Sequence, residues 1–497
     1  MKRIVTLIII LALSLTLLAA CGKNGDTSKP ESVAQTSSEE VSVDPSTQWK
    51  NEKGEWTPKQ PVKDMGNRTF TICVRGAAAG GTYQSDDFTT DGTLYGDILN
   101  SAVAERNNKV EETYHVTLVV EKLDDHMVQI RLDNESQTGR FDAIMPTLKE
   151  LAVLAGEDGL YELTSINGFD VHAPWYDENA TNAFSIKNKV YFTTGDITIL
   201  NKVCAPSILF NKEMITHYNL ESPYDLVKEK KWTFDKFVQM GKAVSNISDP
   251  DDVFKNNYGL LAAYADPADF FGAAGEMICV KDEDDLPILM IGKEQRSVTV
   301  AQKLLDTYAN GSDWMVIAND RSLFSSMTDS LRMFGEGHVL FRVSGFSAAT
   351  KLRKSSDIVF GILPMPLYDN DQDDYISYCG SSNDVAGIAI PKLAPDPEFS
   401  AYMIDAYSAG AKNLVTKAYV DVNLYQRDAY DYDSEEMLDI IFSHIVYDIG
   451  ECYNFGGIGD VITGLAKNRS TDIVSALKAV ESKAEAELQE VRSIYNK

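Results

Sequence analysis

Basic residues are scarce in this chain of 497 residues: 46 Lys and Arg stand against 74 Asp and Glu, which gives a formal net charge of −28 at pH 7. This balance argues against a nucleic-acid partner, because phosphate binding requires a basic surface. It also argues against docking on anionic lipid through a polybasic patch. Acidity by itself names no ligand, since negative surfaces commonly serve solubility.

Signatures of common enzyme classes are absent as well. The chain has no H-E-x-x-H zinc motif, no G-x-S-x-G nucleophile turn and no G-x-x-x-x-G-K-[ST] phosphate loop. We therefore predict no catalytic residues, no cofactor and no enzyme activity. Carboxylates are numerous enough to conceal a glycosidase pair, so a hydrolase stays open as an alternative.

Metal-binding patterns are equally poor. None of the six cysteines forms a C-x-x-C pair, and the six histidines are scattered, so we predict no metal site. Five cysteines follow Cys21 at irregular spacings, and the sequence does not select a disulfide pair among them. The acidic loop at residues 369–374 starts like a calcium loop. It carries Asp374 where glycine is required and Gly380 where a bidentate glutamate belongs, so a solvated turn is expected.

The one long hydrophobic run lies at the N-terminus. Lys2 and Arg3 precede an apolar stretch at residues 4–18, which is short for a membrane span and typical of a cleaved export signal. The run ends in Leu-Ala-Ala-Cys-Gly, which resembles a bacterial lipobox. That resemblance implies a signal peptide at residues 1–20, a lipidated Cys21 and a location on the extracellular face of the cell membrane. An ordinary signal peptide followed by an incidental cysteine is the alternative.

Residues 22–65 are polar and almost free of aliphatic periodicity. Such a stretch buries too little apolar area to offset its ordering entropy, so we predict a disordered leash at residues 21–65. Trp49 and Trp56 are exceptions that could pack loosely against the body.

The body alternates between short apolar strands and amphipathic helices, which predicts an α/β fold. Strands are expected at residues 69–74, 116–120, 141–145, 208–210, 339–343 and 359–362, and helices at 98–114, 148–154 and 473–495. Thr233 is a predicted helix N-cap, with Asp235 in the first turn.

Four segments occur in a characteristic order: SILFNK at residues 207–212, LVKEKKWTFDKF at 226–237, FGEGHVLF at 334–341 and FGILPMP at 360–366. Together with the lipobox and leash, they resemble extracellular solute-binding lipoproteins of ABC importers, of the oligosaccharide-binding class. The resemblance implies a two-lobed fold of type II with a mainly parallel, helix-flanked sheet in each lobe and the ligand cleft between them. It implies an N-terminal lobe at residues 66–204 and 344–405, and a C-terminal lobe at 205–343 and 406–497.

The same resemblance implies a monomeric receptor that binds a small-molecule solute, an oligosaccharide, and delivers it to ABC permease subunits. Two alternatives stay open besides import. A lipid-anchored carbohydrate-active hydrolase is one, and a binding protein that reports its ligand to a membrane kinase is the other.

Ligand contacts are expected in loops that follow strands, because open α/β sheets bind ligands at the carboxyl ends of their strands. Aromatic rings there can stack on sugar faces, while charged and hydroxyl groups bond the sugar hydroxyls. The predicted contacts are Arg75, Thr147, Trp175, Asp196, Phe346 and Tyr453.

Overall fold

A computed structural model describes residues 45–80, 83, 85–92, 96–249, 251–421 and 432–495. Contacts divide the chain into two compact units, residues 1–47 and residues 48–497. The predicted signal peptide and Cys21 lie outside the described residues. No helix in the described part of the chain has both the length and the apolar character needed to cross a membrane.

The second unit contains two five-stranded sheets. The first is built from β1 (Arg68–Arg75), β2 (Val116–Leu123), β3 (Ala143–Met145), β4 (Phe192–Thr193) and β13 (Ile388–Ala389), in the spatial order β2-β1-β3-β13-β4. β1 runs parallel to β2 and β3, whereas β13 runs antiparallel to both β3 and β4. Only β13 is therefore reversed in this sheet.

The second sheet repeats this plan. Its strands are β5 (Ser207–Asn211), β6 (Tyr258–Ala262), β9 (Met315–Ile317), β10 (Val339–Ser344) and β11 (Phe360–Leu363), in the order β11-β5-β10-β6-β9. β6 runs parallel to β9 and β10, and β5 runs antiparallel to β10 and β11. Every residue of β5 and β6 is buried, as expected for strands covered on both faces.

Two small sheets and a set of helices complete the described unit. The small sheets are the antiparallel hairpin of β7 (Cys279–Lys281) and β8 (Pro287–Leu289) and the parallel pair of β12 (Ser377–Tyr378) and β14 (Ile445–Val446). The α-helices are α1 (Ala77–Gly80), α2 (Asp97–Tyr114), α3 (His126–Ser136), α4 (Leu148–Gly156), α5 (Glu178–Phe184), α6 (Leu200–Val203), α7 (Lys212–His217), α8 (Pro223–Lys228), α9 (Phe234–Val244), α10 (Asp266–Ala273), α11 (Gln295–Ala309), α12 (Met327–Gly335), α13 (Phe346–Ser355), α14 (Pro397–Asn413), α15 (Val415–Lys417), α16 (Tyr432–Ser443), α17 (Ile449–Tyr453), α18 (Val461–Lys467) and α19 (Ile473–Tyr495). Short 3-10 turns occur at Pro45–Trp49, Leu163–Ser165, Val253–Lys255, Gly311–Asp313 and Phe455–Asp460.

Each sheet and the helices packed on it form one lobe, so the predicted two-lobed α/β fold is confirmed. The reversed strand of each sheet, β5 or β13, is the one that the chain forms just after arriving from the other lobe. Four strands of each sheet share one direction, which agrees with the expectation of mainly parallel sheets.

One part of the predicted lobe assignment is wrong. The prediction assigns residues 344–405 to the N-terminal lobe, but β11 pairs with β5 in the second sheet, with Gly361 opposite Phe210. Helix α14 runs unbroken across the predicted boundary at residue 405 and packs on α2 of the first lobe. An apolar run marks a strand but not its partner, so sequence alone could not place β11. The other boundaries stay predictions.

Residues 48–65 pack on the first lobe, which corrects the predicted leash over this stretch. Trp49 is buried, and its ring meets Trp175 edge-on with 5.1 Å between centroids. The Trp56 N–H donates to Asn413 Oδ1 at 2.9 Å, and Asn413 Nδ2 donates back to the Trp56 carbonyl at 2.8 Å. The two tryptophans thus supply the apolar contacts that the surrounding polar sequence lacks.

The cysteines of the second unit, Cys73, Cys204, Cys279, Cys379 and Cys452, are buried and unbonded. In the acidic loop, Lys230 Nζ pairs with Asp374 Oδ1 at 3.1 Å. Within the described residues, no group of three or more His, Cys, Asp or Glu is arranged to hold a metal ion.

Candidate functional site

The carboxyl ends of strands in both lobes face the segments that join the lobes. β10 ends at Ser344, whose carbonyl accepts a hydrogen bond from Ser207 Oγ at 2.8 Å, where the chain first enters the second lobe. β1 ends at Arg75, whose Nη1 donates to the Asp384 carbonyl at 3.2 Å, where the chain returns. Ligands of open α/β sheets bind beyond such strand ends. The candidate site is therefore the region between the lobes around these segments.

Arg75 anchors the first lobe's side of this region. It is 4% exposed, and its Nη2 also donates to the Ala79 carbonyl at 3.4 Å. Among the described residues, its Nε has no hydrogen-bond partner. The nearby Asp384 carboxyl is largely buried, which raises its pKa, and Arg75 partly offsets that rise. Arg75 thus positions the segment at residues 380–385, where the chain returns to the first lobe and which we call the returning segment. Its Nε–H remains an unused donor.

The second lobe contributes a cation and two carboxylates. Arg342 in β10 donates from Nη1 to the Leu261 carbonyl at 3.1 Å. Asp266 accepts from the Ala263 N–H at 2.7 Å and the Tyr308 hydroxyl at 3.1 Å, and burial raises its pKa to about 6 against the attraction of Arg342.

Asp269, one helical turn after Asp266, is the carboxylate best placed to accept from a ligand. It is half-buried, and no other side chain or backbone donor in the described part of the chain bonds its oxygens. Burial, together with repulsion from Asp266, raises its pKa well above the usual range. It lies against Gly380, where a Cβ would come within 2.7 Å of Asp269 Oδ1. A side chain at residue 380 would therefore push the Asp269 carboxylate from its present position.

Two tyrosines supply aromatic surface at the strand ends. The hydroxyl of Tyr83, after β1, and Ser347 Oγ of the second lobe share a hydrogen bond at 2.9 Å. Tyr264, directly after β6, is half-buried, and its backbone N–H donates to Asn319 Oδ1 at 3.0 Å. Tyr83 is thus held by a contact with the opposite lobe, and the loop of Tyr264 is held by a residue of its own lobe.

A further carboxyl, Glu451 of α17, meets the returning segment. It accepts from Ser382 Oγ at 3.2 Å, and the Lys149 N–H donates to the Ser382 carbonyl at 3.1 Å. Burial and repulsion from Asp448 raise the pKa of Glu451 to about 8, with Lys149 acting in the opposite direction. At neutral pH, Glu451 is therefore mostly protonated and can donate as well as accept.

A surface groove of about 820 Å³ lies elsewhere, between α12 and α13. Its walls carry charges of both signs, among them Arg332, Glu336 and Asp357, and no aromatic side chain lines it. It offers nothing on which a sugar ring could stack.

Three of the predicted contacts are structural in this fold. Thr147 is the N-cap of α4 in a capping box with Glu150. Phe346 is fully buried, with its ring centroid 5.2 Å from that of Phe442. Trp175 is fully buried as well, and its Nε1 donates to Asp405 Oδ1 at 3.1 Å. All three side chains are buried in this structure, and ligand contact by them stays a prediction.

Two of the three remaining predicted contacts, Asp196 and Tyr453, also have internal partners. Asp196 is buried between Lys412, 2.9 Å from its Oδ2, and Lys202, 3.4 Å from its Oδ1. Burial would raise its pKa, but the two lysines outweigh burial and lower it. The Tyr453 hydroxyl is hydrogen-bonded to that of Tyr495 at 2.7 Å, and its ring stacks on Phe455.

Of the predicted set, the structure brings Trp175 and Asp196 into contact, since the Asp196 N–H donates to the Trp175 carbonyl at 2.8 Å. Arg75 lies where the chain returns to the first lobe, since its Nη1 donates to the Asp384 carbonyl. Ligand contact by Arg75, Asp196 and Tyr453 stays a prediction. Sequence reasoning missed Tyr264 and Asp269, although the apolar run at residues 258–262 ends just before them and the strand-end rule applies there too.

Several buried carboxyls make the stability of the protein depend on pH. Burial raises the pKa of Asp405 to about 7, of Glu451 to about 8 and of Asp448 to about 6. Between its unfolded pKa, about 4, and its folded pKa, each group has lost its proton in the unfolded chain but keeps it in the folded protein. Stability is therefore expected to fall as pH rises through this range, by up to about 1.4 kcal/mol per group and pH unit.

Thermal melts at pH 5, 6.5 and 8 check this expectation, with the highest melting temperature predicted at pH 5. Glu451→Gln, which mimics the protonated side chain, is expected to reduce the fall in melting temperature between pH 6.5 and 8. A melting temperature that rises from pH 5 to 8 would contradict the assignment.

Comparisons with known proteins support the architecture. No family model matches the chain, and no curated protein matches it in sequence. The structure resembles an ABC substrate-binding protein from Listeria monocytogenes in complex with cycloalternan, with a TM-score of 0.52, 14% identity, and coverage of 85% of this chain and 99% of that one. It also resembles a cyclo/maltodextrin-binding protein complexed with maltotetraose, with a TM-score of 0.53, 14% identity, and coverage of 86% and 96%. The chain thus has the two-lobed α/β fold of ABC solute-binding proteins.

Proposed function

We propose that this protein is a solute receptor that captures an oligosaccharide between its lobes and delivers it to an ABC permease. The observation that carries the proposal is the fold, which aligns over 85% and 86% of the chain with two proteins solved with bound oligosaccharides. The order of the four sequence segments at residues 207–366 supports the same class. We propose no catalytic step for this chain.

The chemistry between the lobes suits a hydroxyl-rich ligand. Asp269 and Asp384 can accept hydrogen bonds from sugar hydroxyls, and Arg75 and Arg342 can donate to sugar oxygens. The ring of Tyr264 can stack on the apolar face of a sugar. These groups come from both lobes, so a ligand that contacts all of them favours a closed arrangement through its differential affinity.

The membrane location is part of the proposal. A lipid on Cys21 would tether the receptor to the extracellular face of the cell membrane, beside its permease, and the receptor would act as a monomer. The packed body begins near residue 48, so residues 22–47 would serve as the tether.

Titration calorimetry with maltotetraose, cyclic glucans and other oligosaccharides tests the proposed function. Saturable one-to-one binding without chemical change is expected for at least one of them. Asp269→Asn is expected to weaken that binding about tenfold, because the amide replaces one of the two carboxyl oxygens that can accept from a sugar hydroxyl with an N–H₂ donor.

Asp371→Asn provides a matched control, since Asp371 is an exposed aspartate in the acidic loop. It makes the same carboxyl-to-amide change outside the set of groups proposed to contact the solute, and unchanged affinity is expected. Release of shorter sugars would instead favour the hydrolase, and the absence of binding across the panel would contradict an oligosaccharide receptor.

A further inference from the structure

A turn of the first lobe and a hairpin of the second lobe are joined by polar contacts. The turn spans residues 185–189 between α5 and β4, and the hairpin spans residues 279–289, with β7 and β8 as its strands. We call this contact the interlobe clasp. It lies outside the set of groups assigned to the oligosaccharide.

Asp285, at the tip of the hairpin, is the centre of the clasp. Its Oδ2 accepts from the Asn188 N–H at 2.8 Å, and its Oδ1 accepts from Ser185 Oγ at 3.1 Å. Its carbonyl accepts from the Lys187 N–H at 2.9 Å. One hairpin residue thus receives three hydrogen bonds from the opposite lobe.

Lys281 reinforces the contact from the other strand of the hairpin. Its Nζ lies 2.8 Å from Asp285 Oδ1 and donates to Ser185 Oγ at 2.6 Å and to the Asn182 carbonyl. Burial lowers the pKa of Lys281, and the bond to Asp285 opposes that change. Because both side chains are mostly shielded from water, this ion pair is screened less than an exposed one.

The turn and the hairpin both have left-handed backbone conformations at the contact. Lys187, Asn188 and Asp285 all have positive φ, at 57°, 59° and 58°. A left-handed conformation is unfavourable for residues with a side chain, least so for Asn and Asp. Lysine has no such tolerance of positive φ, so the backbone of Lys187 is strained. Its N–H is one of those that donate to Asp285. The strained turn presents its donors to the hairpin.

An apolar contact accompanies the polar ones. Ile186 belongs to the turn of the first lobe, yet it is fully buried within the hydrophobic core of the second lobe. The turn therefore inserts a side chain across the boundary between the lobes, and separating the lobes here would expose it.

The hairpin is fixed to the second lobe on its other side. Arg492 of α19 donates from Nε to the Pro287 carbonyl at 2.9 Å. Asp448 accepts from the Ile278 N–H at 2.6 Å and from the Cys279 N–H at 3.2 Å. A movement of the second lobe would carry the hairpin with it and would break the bonds to the turn.

We propose that the interlobe clasp centred on Asp285 holds the two lobes together and sets the fraction of closed receptor before any ligand binds. The inference rests on the proposed function in one respect: closure matters because the solute lies between the lobes. Apparent affinity scales with the population of the binding-competent form, so the clasp tunes affinity without touching the solute.

Hydrogen exchange in the ligand-free, full-length protein tests the clasp directly. Asp285→Asn is expected to speed exchange of the Asn188 amide about tenfold or more, because that amide loses a charged side-chain acceptor. The Lys187 amide keeps the backbone carbonyl of residue 285 as its acceptor, so its exchange is expected to rise only as far as the turn separates from the hairpin. The radius of gyration from small-angle scattering is expected to rise with it. Asp284→Asn is the matched control: it is exposed on the same hairpin, and both readouts should stay at wild-type values.

The double variant Lys281→Met with Asp285→Ala removes the ion pair without leaving either charge unpaired, and it keeps the inference testable if the single variant unfolds. It too is expected to expose the turn and expand the ligand-free protein. Wild-type exchange and radius in this folded variant would overturn the clasp. Neither readout needs a sugar, so this failure is distinct from a failure of oligosaccharide binding.

Discussion

Trp175→Ala is expected to lower the free energy of unfolding by about 3–5 kcal/mol, the usual range for removing a large aromatic side chain from a core. The ring is fully buried and meets Trp49 edge-on. Its indole N–H also shares Asp405 Oδ1 with the Tyr176 hydroxyl, which is 2.7 Å away. The substitution thus leaves a cavity and removes one of two donors from a buried carboxyl. Urea unfolding of the ligand-free protein measures the loss.

Trp175→Phe is the graded control. It keeps most of the ring volume but lacks the donor to Asp405, so a smaller loss of about 1–3 kcal/mol is expected. A Trp175→Ala protein with wild-type stability but weakened oligosaccharide binding would contradict the core assignment. It would restore the stacking role that the sequence first suggested.

Cys21→Ala is expected to abolish association with membranes while the body stays folded. The packed part of the chain starts near residue 48, so loss of an anchor at residue 21 removes no contact of the described fold. Fractionation of cells expressing the variant, followed by a high-salt wash of the membranes, measures the effect. The variant should appear in the soluble fraction with the wild-type melting temperature.

Cys452→Ala is the matched control, because it removes a cysteine that is buried in the body. It should remain with the membranes. Retention of Cys21→Ala on washed membranes would contradict the lipid anchor and leave the rest of the account intact.

The local elements were largely predictable from the sequence. The helix expected at residues 473–495 is found at Ile473–Tyr495, and the strand expected at 339–343 is found at Val339–Ser344. Thr233 caps α9 as predicted, accepting from the Lys236 N–H at 3.3 Å. Periodicity and capping are local properties, so they can be read along the chain.

The pairing of distant segments was not predictable in the same way. β11 reads as a strand in the sequence, but its hydrogen bonds to β5 depend on chain more than 140 residues away. The burial of the candidate site residues was not predictable from the sequence either. The position of a loop after a strand can be predicted, but the direction of the side chains in that loop cannot. Thr147 shows a signal that was overlooked: Thr-Leu-Lys-Glu at residues 147–150 is a capping-box pattern, which favours a structural role.

The central claim is that an oligosaccharide is held between the two lobes. Hydrogen exchange of the wild-type protein with and without a saturating oligosaccharide that binds in calorimetry tests it most directly. The account predicts slower exchange in both lobes at once, at residues 75–79 of the first lobe, at 262–269 of the second and at 380–385 between them. Protection confined to one lobe, or to the groove between α12 and α13, would contradict it.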